Sequence, residues 1–336
     1  MNLKRYFKKA IIQRLEQYGY LKVDRRLLYD WQLNPQPPPS ARETPLPLDA
    51  PDYLLPSNPR LIELQARYAI FDEAVTTPLD WTGDHVSPDD ILYFRGDNAY
   101  LWQLRGVHMN VLAYALTTYY VKSIDNLGLM EKLEDDTYFG NCCFNIDNRL
   151  VSRDLLDSII EIYFLEKYLK LSSFKNLTVL DIGAGYGRLA HRIVNAFPNI
   201  EQCLCTDAFP VSTFISEYYL RFRNLEERAK VIPLDEIEEF LRNNTVDIAL
   251  NIHSFPECKL SAIEWWLSVL SKYGVKYLMI VPNSDQLMTN DGLDFSPILE
   301  NYGYKRIAKD PKYEDPVLRM YGLYPAYYFL FEHRQG

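Results

Sequence analysis

The 336-residue chain has no run of 18 or more apolar residues, so no membrane-spanning helix is expected. It has five cysteines, an odd count, and near the start only Ala10-Ile11-Ile12 as an apolar run. A secretory leader needs a longer apolar run, so reduced thiols and a cytoplasmic location are expected. With 14 glycines the chain is not collagenous, and 48% hydrophobic against 24% charged residues excludes a disordered one. Basic residues are the minority, 36 against 45 acidic, for a net charge of -9. Neutralising phosphates takes Lys and Arg, so nucleic acid is not expected as a partner.

The charge is unevenly spread. Residues 1–26 hold eight basic and two acidic residues, a net +6, which leaves -15 on the remainder. Leu3, Phe7, Ile11 and Leu15 recur every fourth residue there, which predicts an amphipathic helix over 3–18. Such a helix either lies on the protein body or touches an anionic membrane surface. Nine of the 20 prolines fall between Pro35 and Pro59, which predicts an extended strap. These features bound a first region, 1–59. Residues 60–150 read as a mainly helical cap, with Leu61, Leu64, Tyr68 and Phe71 on one helix and 98–124 on another. Residues 151–336 form the third region. Ser152 reads as the N-cap of its first helix.

From residue 177 strands alternate with helices. Strands are expected at 177–182, 202–206, 231–232, 246–252, 275–281, 305–308 and 327–331. Ser261 and Glu264 read as a capping box opening a helix that Gly274 stops. The alternation predicts an α/β fold with a largely parallel sheet covered on both faces. Cys203 and Cys205 share one face of the second strand, either as a core pair or as half of a metal site. No compact carboxylate cluster calls for a metal.

The first strand runs into Asp181-Ile182-Gly183-Ala184-Gly185-Tyr186-Gly187, followed by a helix. Glycines there permit a tight turn and close backbone approach to a ligand. Arg188 occupies the third-glycine position of a dinucleotide motif, and no P-loop Lys-Ser/Thr follows. Both facts count against NAD and nucleoside triphosphates. The motif resembles that of class I S-adenosylmethionine-dependent methyltransferases. Together with Val151–Ser158, Thr206-Asp207-Ala208 and Asn251–Phe255, it is similar to the sugar O-methyltransferases of glycan and antibiotic-sugar pathways.

That resemblance implies a Rossmann-like sheet of seven strands in the order 3-2-1-4-5-7-6, the last antiparallel. It implies methyl transfer from S-adenosylmethionine to a sugar hydroxyl, with a carbohydrate or glycoconjugate as partner. Gly183, Gly185 and Gly187 would lie under the cofactor and Asp181 at its amino-acid end. Asp207 would accept the ribose hydroxyls or, alternatively, cap the strand end. Arg153 would pair with the cofactor carboxylate or form a surface salt bridge. Asp235 would read the adenine or simply open a helix. Oxygen methylation needs a proton acceptor. His253 follows the fourth strand and titrates near neutrality, so it is the first candidate, with Glu257 and Asn251 as helpers. His108 is the reserve base. Tyr138 and Phe139 could close over the cofactor. Rival readings are methylation of a phenol, polyketide or other small molecule, and a binding module that keeps the fold without catalysis.

Overall fold

The computed structural model describes residues 43–79, 91–96 and 111–334. The basic helix expected over 3–18, the strap up to Pro39, the first part of the helix expected over 98–124, and His85 and His108 lie outside those residues. Strands β1 (Cys143–Ile146) and β2 (Arg149–Ser152) pair as an antiparallel hairpin. Strands β3 (Leu177–Ile182), β4 (Ile200–Thr206), β5 (Ala229–Val231), β6 (Ile248–Ile252), β7 (Tyr277–Val281), β8 (Tyr304–Pro311) and β9 (Tyr327–His333) form one sheet. Its order is β5-β4-β3-β6-β7-β9-β8. Counted from β3 as the first strand, this is 3-2-1-4-5-7-6. The pairs are parallel from β5 to β7, while β9 runs antiparallel to both its neighbours. The sheet has the Rossmann-like class I methyltransferase topology.

The described helices of six or more residues are α1 (Pro59–Ala69), α2 (Val111–Ile124), α3 (Arg153–Leu169), α4 (Arg188–Ala196), α5 (Pro210–Phe222), α6 (Ile237–Asn243), α7 (Leu260–Lys272), α8 (Ser296–Asn301) and α9 (Pro316–Tyr321). Strand order reverses between β3 and β6, so right-handed crossovers put their helices on opposite faces. That reversal opens a crevice at the carboxyl ends of β3 and β6. β3 is buried along almost its whole length, as a central parallel strand must be.

Local chemistry explains where the sequence reading differs. The hairpin at 143–152 falls inside the region read as helical. Its turn residues Asp147 (φ 53°) and Asn148 (φ 60°) both adopt the left-handed conformation that these side chains tolerate. Pro51 and Pro59 stand in the first turns of helices instead of an extended strap, where a missing N–H costs nothing. The capping box at Ser261 is absent. α7 starts one residue earlier, and the Ser261 hydroxyl donates to the Ala74 carbonyl, tying α7 to the N-terminal segment. Ser152 does cap α3, its Oγ accepting from the Leu155 N–H at 3.1 Å. Gly274 (φ 69°) does follow the end of α7. Cys203 and Cys205 are buried, unbonded core residues.

The least ordinary part of the fold is α3. Arg153, Asp154, Asp157, Ser158 and Glu161 are all buried in it. Their spacing of three and four residues puts them on one stripe. Each finds a partner from another element or from its own next turn. The Tyr186 hydroxyl donates to Asp154. Lys312 donates to Asp157 and to the Tyr324 carbonyl. Arg188 forms a two-pronged pair with Glu161 at 2.9 and 3.1 Å and donates to Ser158. Ahead of the helix, the wholly buried Asp135 accepts from Arg95, Arg192, and the backbone and hydroxyl of Ser152. Removing Asp135 would leave buried Arg192 with only the Glu134 carbonyl and buried Arg95 to lean on Asp136. Asp135→Ala is therefore expected to lower stability by about 3–5 kcal/mol, read as a shifted urea-unfolding midpoint with unchanged slope.

Candidate active site

The carboxyl ends of β3, β4 and β6 open into a cavity. The run Asp181–Tyr186, the turn Asp207–Phe209, and the loop Ile252–Ser254 with Glu257 contribute to its walls. Val75, Thr76 and Pro78 complete them from the N-terminal segment. That segment is docked by α1. Arg60 pairs with Glu217 at 2.6 Å, and Arg67 pairs with Asp235 at 2.8 Å. The Tyr68 hydroxyl meets Thr213 at 3.0 Å and accepts from the Leu234 N–H. Pro78 then bridges to Cys258, and the Leu79 N–H donates to the Glu257 carbonyl.

Gly183 (φ 74°) and Gly185 (φ 58°) make the turn after β3. The amides of Gly183 and Ala184 donate to the Thr206 carbonyl at 2.9 and 3.2 Å, which pins the loop against the end of β4. A Cβ on Gly183 would stand 2.3 Å from the Ser254 side chain. Gly187 has another task than the one expected. It does not line the cavity. It caps α4, and a Cβ there would meet Ser216 at 3.0 Å and Leu220 at 3.3 Å on α5.

Asp207 bridges the two loops. Its Oδ2 accepts from the Gly185 N–H at 3.0 Å and its Oδ1 from the Phe209 N–H at 2.9 Å. Each carboxylate oxygen has a second lone pair, so the cap role and a ligand role are compatible. Burial raises its pKa to about 6 against those two hydrogen bonds. Asp181 lines the same cavity, and burial raises it to about 7, with the Arg188 charge opposing.

Arg153 is neither on the surface nor in the cavity wall. Its Nε donates to Asp157 Oδ2 at 3.2 Å along α3. Asp235 is held by Arg67 outside the cavity. Asn251 is buried and structural. Its amide donates to the Ile182 carbonyl at 3.0 Å and its oxygen accepts from the Phe255 N–H at 2.8 Å, fixing the loop that carries His253. Phe139 is buried between Phe94, Tyr218 and Phe222, with Tyr138 packed on Phe222. The pair therefore belongs to the core and is not a lid.

His253 lines the cavity with a backbone φ of 63°, held by its N–H to the Val281 carbonyl at 2.8 Å. Left-handed backbone at a non-glycine residue is strained and needs surrounding support. Here it comes from Asn251 behind the loop and from Asn283, whose Oδ1 lies 2.9 Å from His253 Nδ1. Burial lowers the imidazole to about 4, helped by the Arg153 charge. Two contributors escaped the sequence reading. Asn283 follows β7 at the sheet edge where His253 follows β6, so the same positional rule would have found it. The wall at Val75–Pro78 left no sequence signal, because its contacts span more than 100 residues of chain.

The residues present fit a sulfonium nucleoside. Two desolvated carboxylates suit a cation and a ribose, and the small loop residues admit close approach. No family model matches the chain, and no curated protein matches it. Similar solved structures include Streptococcus pneumoniae Sp1610, a candidate tRNA (m1A22) methyltransferase, in complex with S-adenosyl-L-methionine. It shares 16% identity over 52% of this chain and 73% of that one, with TM-score 0.37. M. capricolum TrmK with S-adenosyl-homocysteine shares 15% over 52% and 69%, with TM-score 0.34. A SAM-dependent methyltransferase from Aquifex aeolicus shares 18% over 50% and 89%, with TM-score 0.37. The likeness is one of fold. The partner expectation is corrected here: structures named for tRNA methylation stand among the similar ones, and nothing supports a carbohydrate acceptor or the exclusion of nucleic acid.

The glycine turn yields a direct test. Gly183→Ala combines positive φ with the Ser254 clash, so it should lose cofactor binding in titration calorimetry. Adding Ser254→Gly removes the clash and leaves the backbone strain of about 1–3 kcal/mol, so the double variant should recover part of the affinity.

Proposed function

We propose that this chain is an S-adenosylmethionine-dependent methyltransferase in which His253 takes the proton of the acceptor. The observation that carries the reading is the convergence of Asp181, Gly185, Asp207 and His253 on one cavity at the sheet's switch point. Gly183 and Gly185 would admit the cofactor close to the backbone, Asp207 would accept its ribose hydroxyls, and Asp181 would face its amino-acid end. When bound, the cofactor supplies an electrophilic methyl on a good leaving group. The protein's share is alignment, exclusion of water and removal of a proton. Val75, Thr76 and Pro78 cover the cavity and restrict water. Residues 151–336, with 71–79 folded over them, are the cofactor-binding unit in this reading. An imidazole that stays neutral down to about pH 4 is ready to accept a proton throughout the physiological range.

Titration calorimetry with S-adenosylmethionine and S-adenosylhomocysteine tests the reading, and failure of both to bind ends it. Transfer of labelled methyl is then assayed on total RNA beside phenolic and polyketide small molecules. Asp207 adds a pH signature. Its carboxylate must be ionised to accept two hydroxyl bonds, and its pKa in the unliganded protein is about 6. The Asp207 share of the affinity should therefore hold above pH 7 and fall by about tenfold per unit below pH 6. Asp207→Asn, uncharged at every pH, should bind weakly and keep only the dependence that Asp181, raised to about 7, contributes.

A further inference from the structure

Two loops meet at His253, and one of them has no part in the cofactor site. The loop after β7 carries Asn283 and Asn290. Asn283 Nδ2 donates to Asn290 Oδ1 at 3.3 Å, and the Asn290 N–H donates to the Pro256 carbonyl at 2.7 Å, two residues beyond Ser254. The β7 loop is thus stitched to the β6 loop on both sides of the imidazole. With its amino group turned to Asn290, the Asn283 amide presents only its oxygen to His253. An oxygen acceptor at 2.9 Å requires the ring proton on Nδ1.

We propose that Asn283 is the positioning residue for His253: its amide oxygen fixes the Nδ1–H tautomer and directs the Nε2 lone pair to the acceptor. A carboxylate in this place would hold a protonated ring more firmly, as acidic partners of histidine do. The Asn283 amide also favours the protonated ring, but carries no charge to do so, and burial outweighs it. The charges that reach the ring from packed helices are Arg153 and Asp157 of α3 and Arg188 of α4. The two guanidinium groups oppose protonation and Asp157 favours it, while Glu257 lines the same cavity from the ring's own loop. An imidazolium here would repel the sulfonium of S-adenosylmethionine and spare the uncharged thioether of S-adenosylhomocysteine.

The inference rests on the methyltransferase reading, but its tests separate from it. Nitrogen-15 histidine spectra of the wild-type protein report tautomer and pKa without any acceptor. With five histidines in the chain, His253→Gln assigns the signal. The expected result is an Nδ1–H tautomer that stays neutral below pH 5. An Nε2–H tautomer, or a ring that titrates at an ordinary 6.5, overturns the proposal with no variant needed. Asn283→Asp should raise the ring's pKa by at least one unit. At a pH near the new value it should also weaken S-adenosylmethionine binding severalfold relative to S-adenosylhomocysteine. Asp181 and Asp207 also sense the sulfonium, so the ratio is compared with that of the wild-type protein at the same pH. An unchanged ring pKa and ratio in a folded variant would overturn the proposal. Absence of binding by either ligand to the wild type would instead overturn the methyltransferase reading and leave the tautomer result standing.

Discussion

The polar stripe of α3 constrains everything around it. A helix that buries Arg153, Asp154, Asp157 and Glu161 incurs a desolvation cost of several kcal/mol per ion unless each charge is met by a partner. The partners come from distant parts of the chain: Tyr186 and Arg188 from the glycine turn, and Lys312 from the end of β8. The same demand recurs at Asp135, which gathers Arg95 and Arg192. Such pairs add little net stability over apolar packing, yet they are costly to break singly. They therefore set geometry. The residues flanking Gly185 and Gly187 cannot shift without exposing a buried charge, so the glycine turn is held from beneath while its upper face meets the cavity.

Rigidity on one side makes room for strain on the other. Gly183, Gly185, Gly187 and His253 all adopt positive φ within the two loops at the switch point. Glycine bears this at no steric cost; His253 does not. Its backbone persists because Asn251 ties the β6 loop to the end of β3, while Val281 and Asn283 hold it from the β7 side. The ring is thereby placed by two neighbouring strands and not by loop chance. A site on strand ends can keep the tolerance that catalysis requires.

Much of this was legible in the sequence where a local rule governed. The alternation of strands and helices, the glycine turn, Asp207 at a strand end and Ser152 as a cap each depend on residues within a few positions of one another. β8 and β9 ran longer than read: polar residues on the exposed positions of β8 hide its period, and β9 continues into half-buried Glu332 and His333. What depended on partners far along the chain was not legible. Arg153 looked like a surface or ligand residue, since no pattern announces that Asp157 and Lys312 share its burial. Ser261 looked like a cap because its true partner, the Ala74 carbonyl, is 187 residues away. The hairpin at Asp147-Asn148 was obscured by the helical expectation around it, although both turn residues favour left-handed backbone.

The acidic bias of the chain acquires a local meaning at the cavity. Asp181 and Asp207 are both shifted toward the neutral form, and the first cause for each is burial. His253 is shifted toward neutral by the same cause in the opposite direction. The cavity therefore carries less charge than its residue types suggest. A cation entering it reverses the balance for the carboxylates, because an opposite charge favours ionisation. It deepens the neutrality of the imidazole, because a like charge opposes protonation. One binding event thus favours ionised acids and a neutral imidazole, which stays a weak proton acceptor while the cation is present. The charge state of the cavity follows from burial and the sign of what enters it together, and not from the intrinsic pKa of any one side chain.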